Sequence, residues 1–447
     1  MSWKHSLTEL ASAIGSAPPW EERYFSSIST DTRTLKPGDV FFALAGERFD
    51  ANEFLEKAFE KGACAAVATQ PCEKGPCLVV DNTLDALQRF AQWHRRHFSL
   101  PLIAITGSCG KTTAKDLAAG LLATRYRVVK TQGNLNNDIG VPLSLAQIDD
   151  ETQRGVIEMG ANHPGEIAAL CGMARPTEAA ITMIAPAHLE GFGTLEQVAA
   201  AKAEILEGLG GDGVFYLNND DPRCVQIGET FAGEIVRFGS SGDVTLRRRD
   251  GLPSGETVLD IDPVGRITLP LPCPAHTTNV LLAVAIGMRH GIEEFEGALR
   301  HAVAETARFR TFRIGPWEIL DDTYNANPAS MIAAFEALAA RTQPGCRVAA
   351  LGDMLELGQA SKKLHRELGR NAAAYGVSHL FARGDFAEEV VAGALEGGCP
   401  HAVAIDAPEE IAAAVRALDP KGGTLLAKGS RGMRMEQVIE ALRMIYE

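Results

Sequence analysis

Short apolar runs separated by amphipathic stretches recur along the chain, and their spacing predicts an α/β protein. VFFAL at 40–44 reads as a strand, and NEFLEKAFEKG at 52–62 carries apolar residues at helical spacing up to a terminating Gly62. CAAVAT and CLVVD add two strands, so residues 1–82 are expected to form a small α/β domain. TLDALQRFAQWHRRHF at 83–98 predicts a helix that opens a central domain, 83–312. There LIAIT, RVVKT, RGVIEMG, AAITMI and GVFYLNND alternate with helices beginning near 112, 164 and 195, the pattern of a parallel sheet with crossover helices. Between 235 and 272 short β-like runs are broken by Gly and Pro, which predicts a sheet insertion, and a helix is expected from Asn279. WEILDD at 317–322 begins a third domain, 313–447, in which RVAALGD, HLFARG, HAVAID and GTLLAKGS alternate with Ala-rich helices as a second doubly wound unit.

Composition narrows the partners. At 447 residues the chain is long enough for several domains, and 46% apolar against 22% charged residues is the balance of a soluble globular protein. A net charge of -14 argues against a nucleic-acid surface, although one Lys and a few backbone N–H groups can still hold a phosphate locally. The nine cysteines lack the two-residue spacing of zinc or redox motifs, so reduced thiols are expected. MSWKHSLTEL lacks the apolar core of a signal peptide and no run is long enough for a membrane span, so a cytoplasmic protein without membrane insertion is expected.

LIAITGSCGKTTAKDLAAGLL sets Gly107, Ser108, Cys109, Gly110, Lys111, Thr112 and Thr113 between an apolar strand and an amphipathic helix. This is where a phosphate loop must lie: glycines let the backbone wrap around phosphate oxygens, the helix N-terminus offers free N–H groups, Lys111 adds positive charge and Thr112 can hold magnesium. The loop is a shorter TGxxGKT variant of the usual pattern, and its context points to ATP. Glu158 stands at the end of a buried strand, where a carboxylate suits magnesium. On position alone, His188 reads as a loop residue, Lys202 as a side chain snorkelling from an Ala-rich helix, and Asn134 and Asn137 as turn formers.

The ordered set TGSCGKTT, GNLNNDIGVPLSL, EMGANHPGEI, APAHLEGFGT and AAKAEIL resembles the central domain of the Mur ligases, the amide-forming enzymes of peptidoglycan synthesis. LDDTYNANPASM, LGDMLELG with LHRELG, and AKGSRGMRME are similar to those members that add D-alanyl-D-alanine to UDP-N-acetylmuramoyl-tripeptide. STDTRTLKPGDVFFALAGERFDANEF resembles the family's nucleotide-sugar-binding domain, which makes Ser29, Thr30 and Arg33 candidate substrate contacts. The resemblance implies an N-terminal domain for the UDP moiety, a central P-loop ATPase domain and a Rossmann-like C-terminal domain that brings the amine, in a monomeric enzyme acting on small molecules.

It also implies roles. ATP would activate a carboxylate as an acyl phosphate; Thr112, Glu158 and His188 match magnesium ligands, and Lys202 matches a lysine that the family carbamylates with carbon dioxide. Asn279 matches an adenine contact, Arg308 a phosphate contact and Asp322 a ribose contact, while Asn134, Asn137, Asn325 and Asn327 become substrate contacts. Three positions depart from the family pattern: Thr278 replaces a usual His, Leu282 a frequent Asn and Ala307 a usual Gly. The competing readings are a ligase adding the third amino acid, a folate-polyglutamylating enzyme and, in another class, a P-loop kinase or a non-catalytic nucleotide binder.

Overall fold

The computed structural model describes residues 3–19, 21–46, 49–252, 255–306, 308–341, 345–418 and 422–447. Its centre is the strand Leu102–Thr106, buried throughout and apolar up to Thr106, because both faces of its sheet are covered. Alternate residues divide between the faces: Ile103 and Ile105 enter the core under the helices Lys111–Leu122 and His276–Arg289, whereas Leu102 and Ala104 enter the core under Glu166–Ala174. Each such Leu or Ile contributes about 1.5–3 kcal/mol on burial.

Across this sheet the strands run Val128–Lys130, Arg154–Glu158, Leu102–Thr106, Glu178–Ile181, Val214–Asn218, Glu234–Gly239, Val244–Gly251, Thr257–Asp262 and Gly265–Leu269. The first seven are parallel, and each of the last two pairs antiparallel with the strand before it. The stretch predicted as an insertion is therefore an extension of the central sheet; its antiparallel hairpins could not be assigned from broken apolar runs alone. Chain order reverses on either side of Leu102–Thr106, so the crevice beyond its carboxyl end is a topological switch point, where ligands of such sheets bind. The helix expected from Asn279 begins at His276.

The N-terminal unit has a parallel sheet of Ile28–Ser29, Val40–Phe42, Ala65–Ala68 and Cys77–Val79. Helix Thr83–Arg95, capped by the Asn82 side chain on the N–H groups of Leu84 and Asp85, places Ala86, Leu87 and Phe90 in this unit's core and Ala91 in the central one. Its last residue pins the two units: Arg95 Nε donates to the Ala174 carbonyl at 2.9 Å and Nη2 to that of Leu100 at 3.2 Å. The C-terminal sheet runs Arg310–Ile314, Trp317–Asp322, Gly423–Lys428, Cys346–Gly352, His379–Arg383 and His401–Ala404, parallel except for the first pair. Among the described residues no helix is long and apolar enough to cross a membrane.

Candidate active site

A cleft of about 990 Å³ opens at the carboxyl end of the central sheet and receives residues from both the central and the C-terminal units. The loop after Leu102–Thr106 forms its floor. Gly107 lies at φ 143° with room for no side chain, since a Cβ would come 2.0 Å from Thr182 Oγ1. Gly110 lies at φ 83°, where a Cβ would come 2.6 Å from Asn279 Oδ1. These two glycines let Asn279 and the Thr182 strand end close on the loop, and Ser108 fastens it by donating to the Ala185 carbonyl at 2.8 Å. Cys109 lines the cleft, its thiol pushed up by burial, and Thr113 is buried in the first helical turn.

Lys111 starts the helix Lys111–Leu122 and folds back, donating from Nζ to the Gly107 carbonyl at 2.7 Å. Burial lowers its pKa, and the Glu158 carboxylate pulls it back up. Glu158 is 1% exposed; its Oε1 accepts from Asn136 Nδ2 at 2.7 Å, while Oε2 is buried with no hydrogen-bond partner. A buried carboxylate oxygen with an open valence is suited to a hard cation. Thr112 accepts from Arg308 Nη2 at 3.1 Å, and Arg308 itself lies over the Tyr324 ring, 3.1 Å from its centroid.

Lys202 departs from the reading of a snorkelling side chain. It is 2% exposed, with Nζ 3.4 Å from the Ala161 carbonyl and 5.2 Å from the Phe192 ring centroid. Burial first, then repulsion from Lys111, lowers its pKa to about 7, against partial opposition from Glu166 and Glu204. The helical spacing was legible, but the chain that covers this face of the helix was not. His188 is in the left-handed region at φ 52° and lines the cleft, and burial lowers its pKa. Among the described residues no three His, Cys, Asp or Glu side chains gather as a metal-binding group.

The C-terminal unit contributes Asp322, which lies 2.5 Å from Lys428 Nζ; burial raises the carboxyl pKa and Lys428 opposes the rise. Asn327 caps the helix Pro328–Ala339 through Ser330 N and also donates from Nδ2 to the Ser108 carbonyl at 3.2 Å, joining this unit to the phosphate loop. Asn325 lines the cleft, and its side-chain oxygen accepts from Ala326 N. Asn134 and Asn137 line it too, and Asn137 Oδ1 also accepts from the N–H of Gly140, a turn-forming bond. Thr278 also lines the cleft, Leu282 is fully buried in the core, and Ala307 lies outside the described residues. Ser29, Thr30 and Arg33 lie in the N-terminal unit and do not line this cleft; Ser29 and Arg33 both bond to Asp31. Asn136, Tyr324, Glu356 and Lys428 escaped the sequence reading, although each sits inside a motif that drew attention.

Comparison with known proteins gives a consistent picture. Residues 105–287 match the Mur ligase middle domain and residues 307–431 the domain described as "Mur ligase, glutamate ligase domain". The chain is 34% identical to the UDP-N-acetylmuramoyl-tripeptide--D-alanyl-D-alanine ligase of Escherichia coli (strain K12), covering 98% of both chains. It superposes on a crystal structure of MurF from Acinetobacter baumannii with a TM-score of 0.90 at 32% identity, over 99% of both chains. A structure of MurF ligase from Thermotoga maritima in complex with ADP gives 0.82 at 28% identity, over 94% of this chain and 97% of that one.

Proposed function

The chain belongs to the Mur ligase family, and from that premise we propose that it is an ATP-dependent ligase joining D-alanyl-D-alanine to UDP-N-acetylmuramoyl-tripeptide. The observation that carries this reading is the shared cleft: the Gly-rich loop, the open Glu158 oxygen and Arg308 face one volume with Tyr324 and Asn327 of the C-terminal unit. A kinase would not need the third unit to reach the phosphate loop, as Asn327 does.

The chemistry starts from a peptide carboxylate, which is a poor electrophile. Its oxygen attacks the γ-phosphorus of ATP, the bond to ADP breaks, and an acyl phosphate results. The amine of the dipeptide then attacks the acyl carbon, the amide forms and inorganic phosphate leaves. Lys111 exchanges its Gly107 carbonyl for a phosphate oxygen and stabilises charge on the moving phosphoryl group, with Arg308 placed to share that task. Asn279, packed on Gly110, is assigned to adenine, Asp322 to ribose, Asn325 and Asn327 to the dipeptide, and Ser29, Thr30 and Arg33 to the uridine end of the other substrate.

Thr112, Glu158, His188 and a carbamylated Lys202 would hold magnesium, and the unpartnered Oε2 of Glu158 fits such a cation. When bound, magnesium would supply positive charge against the transferring phosphoryl group. Lys202 suits carbamylation because an amine with a pKa of about 7 is substantially unprotonated near neutrality, and only that form adds to carbon dioxide. We assign a monomer acting in the cytoplasm, where ATP is available, as the working form. We place the domain divisions at 82 and 312, with the helix Thr83–Arg95 shared across the first and the strand Arg310–Ile314 across the second.

The test is ADP release and product mass with ATP, magnesium, UDP-N-acetylmuramoyl-tripeptide and D-alanyl-D-alanine, omitting each in turn. Pentapeptide product that requires all three substrates is expected; ATP turnover indifferent to the dipeptide overturns the acceptor assignment.

A further inference from the structure

His188 does more than line the cleft: it is one side of a junction between the central and C-terminal units. Its Nδ1 is hydrogen-bonded to the Glu356 carboxylate, and because an ionised carboxylate only accepts, Nδ1 carries the proton. The Glu356 carbonyl also accepts from Glu190 N at 3.0 Å, so one residue grips the His188 segment twice. Nε2 of His188 takes no protein partner among the described residues.

The loop that presents Glu356 is fastened on both sides. Met354 N donates to His365 Nε2 at 2.9 Å, and Leu355 N to Ser430 Oγ at 2.9 Å. Ser430 N in turn donates to the Asp353 carbonyl at 3.0 Å, and the Asp353 side chain accepts from Asp385 N at 2.7 Å. On the other side Leu357 is buried in the C-terminal core, where Leu189 of the central unit also packs. Between these anchors Glu356 lies at φ 62° and its side chain is half exposed. A non-glycine residue in the left-handed region is unfavourable for the backbone, and among the described residues the carboxylate hydrogen-bonds to His188 and to no group of its own unit.

We propose that Glu356 is a positioning residue: docking of the C-terminal unit sets the His188 imidazole, with Nδ1–H held by Glu356 and Nε2 left to the phosphate end of the cleft. The site for phosphoryl transfer is then complete only when the unit that delivers the amine is seated. This rests on the ligase reading above, and it couples activation of the carboxylate to the presence of the domain that consumes the acyl phosphate.

The experiment compares Glu356→Gly, Glu356→Ala and Glu356→Gln in the full chain. Glycine removes the carboxylate while relieving the backbone, so loss of fold is not expected, and glutamine retains an acceptor oxygen for Nδ1–H. The first readout needs no turnover: ¹⁵N NMR of His188, assigned by its disappearance in His188→Gln, reports the tautomer in the substrate-free protein. The Nδ1–H form should dominate in the native chain and in Glu356→Gln, and be lost in Glu356→Gly and Glu356→Ala. In the three-substrate assay kcat should fall about 10–100-fold for Gly and Ala, with KM for the UDP-linked substrate unchanged and Gln restoring most of the rate. An unaltered tautomer, or unaltered kcat, in Gly and Ala overturns the proposal. Failure of the native chain to make pentapeptide would instead overturn the ligase reading.

Discussion

Glu158 and Asp353 occupy comparable places at the carboxyl ends of strands in two parallel sheets, and they are treated oppositely. Asp353, just past Cys346–Gly352 in the C-terminal sheet, accepts from the N–H groups of Asp385 and Phe386. Glu158, ending Arg154–Glu158 in the central sheet, takes one bond from Asn136 and leaves Oε2 bare. One carboxylate completes the fold; the other is kept for something outside it. The same contrast separates the loops: the phosphate loop opens its backbone through Gly107 and Gly110, whereas the Asp353 loop is tied down and offers a side chain, Glu356.

The contrast can be broken most severely at Lys111. Lys111→Met should reduce turnover on the order of 10³-fold, as loss of a charge aimed at the transferring group does, with the melting temperature unchanged or raised because burial disfavours the ammonium. Steady-state ADP release and thermal melting together check this. Glu158→Gln should lower kcat by about 10²-fold or more without loss of stability, whereas Asp353→Asn should lose about 1–3 kcal/mol in denaturant unfolding and retain far more activity. A reversed pattern, with Glu158→Gln unfolding and Asp353→Asn inactive but stable, would end the comparison.

Lys202 sharpens it in another way. Its pKa is about 7 in the folded chain against an ordinary 10.5, so between those values the unfolded chain binds the extra proton and stability rises with pH. Below that window both states are protonated and the full penalty of burying the charge remains. Lys202→Met should therefore stabilise the substrate-free protein most near the acidic end of the window, with the difference shrinking towards its alkaline end; parallel curves in urea titrations at several pH values would contradict the assigned burial effect. The smallest change is expected from Arg33→Ala. Arg33 is 84% exposed, so stability should shift by no more than about 0.5 kcal/mol, while KM for the UDP-linked substrate should rise with kcat maintained.

Much of the architecture was legible because it depends on local periodicity. Strands such as Leu102–Thr106 and Gly423–Lys428 are buried on both faces and mostly apolar, and the strand, Gly-rich turn and helix around Lys111 follow one another without interruption. The antiparallel strands between 244 and 269 were legible only as β-like pieces, since whether they join a sheet depends on partners far along the chain. Lys202 shows the same limit for a side chain. Its neighbours in sequence are alanines that say nothing of Ala161 and Phe192, which bury it.

The alternation of strands and helices, the Gly-rich turn between Thr106 and Lys111 and the order of the motifs that mark the family were legible from spacing within a few residues. Which carboxylate stays open, the burial of Lys202, the Asn136–Glu158 bond and the meeting of Glu356 with His188 from 168 residues away emerge only once the chain is folded. Burial and electrostatic environment are set by whatever the fold packs against a group, and that information is carried by the whole chain rather than by the group's own segment.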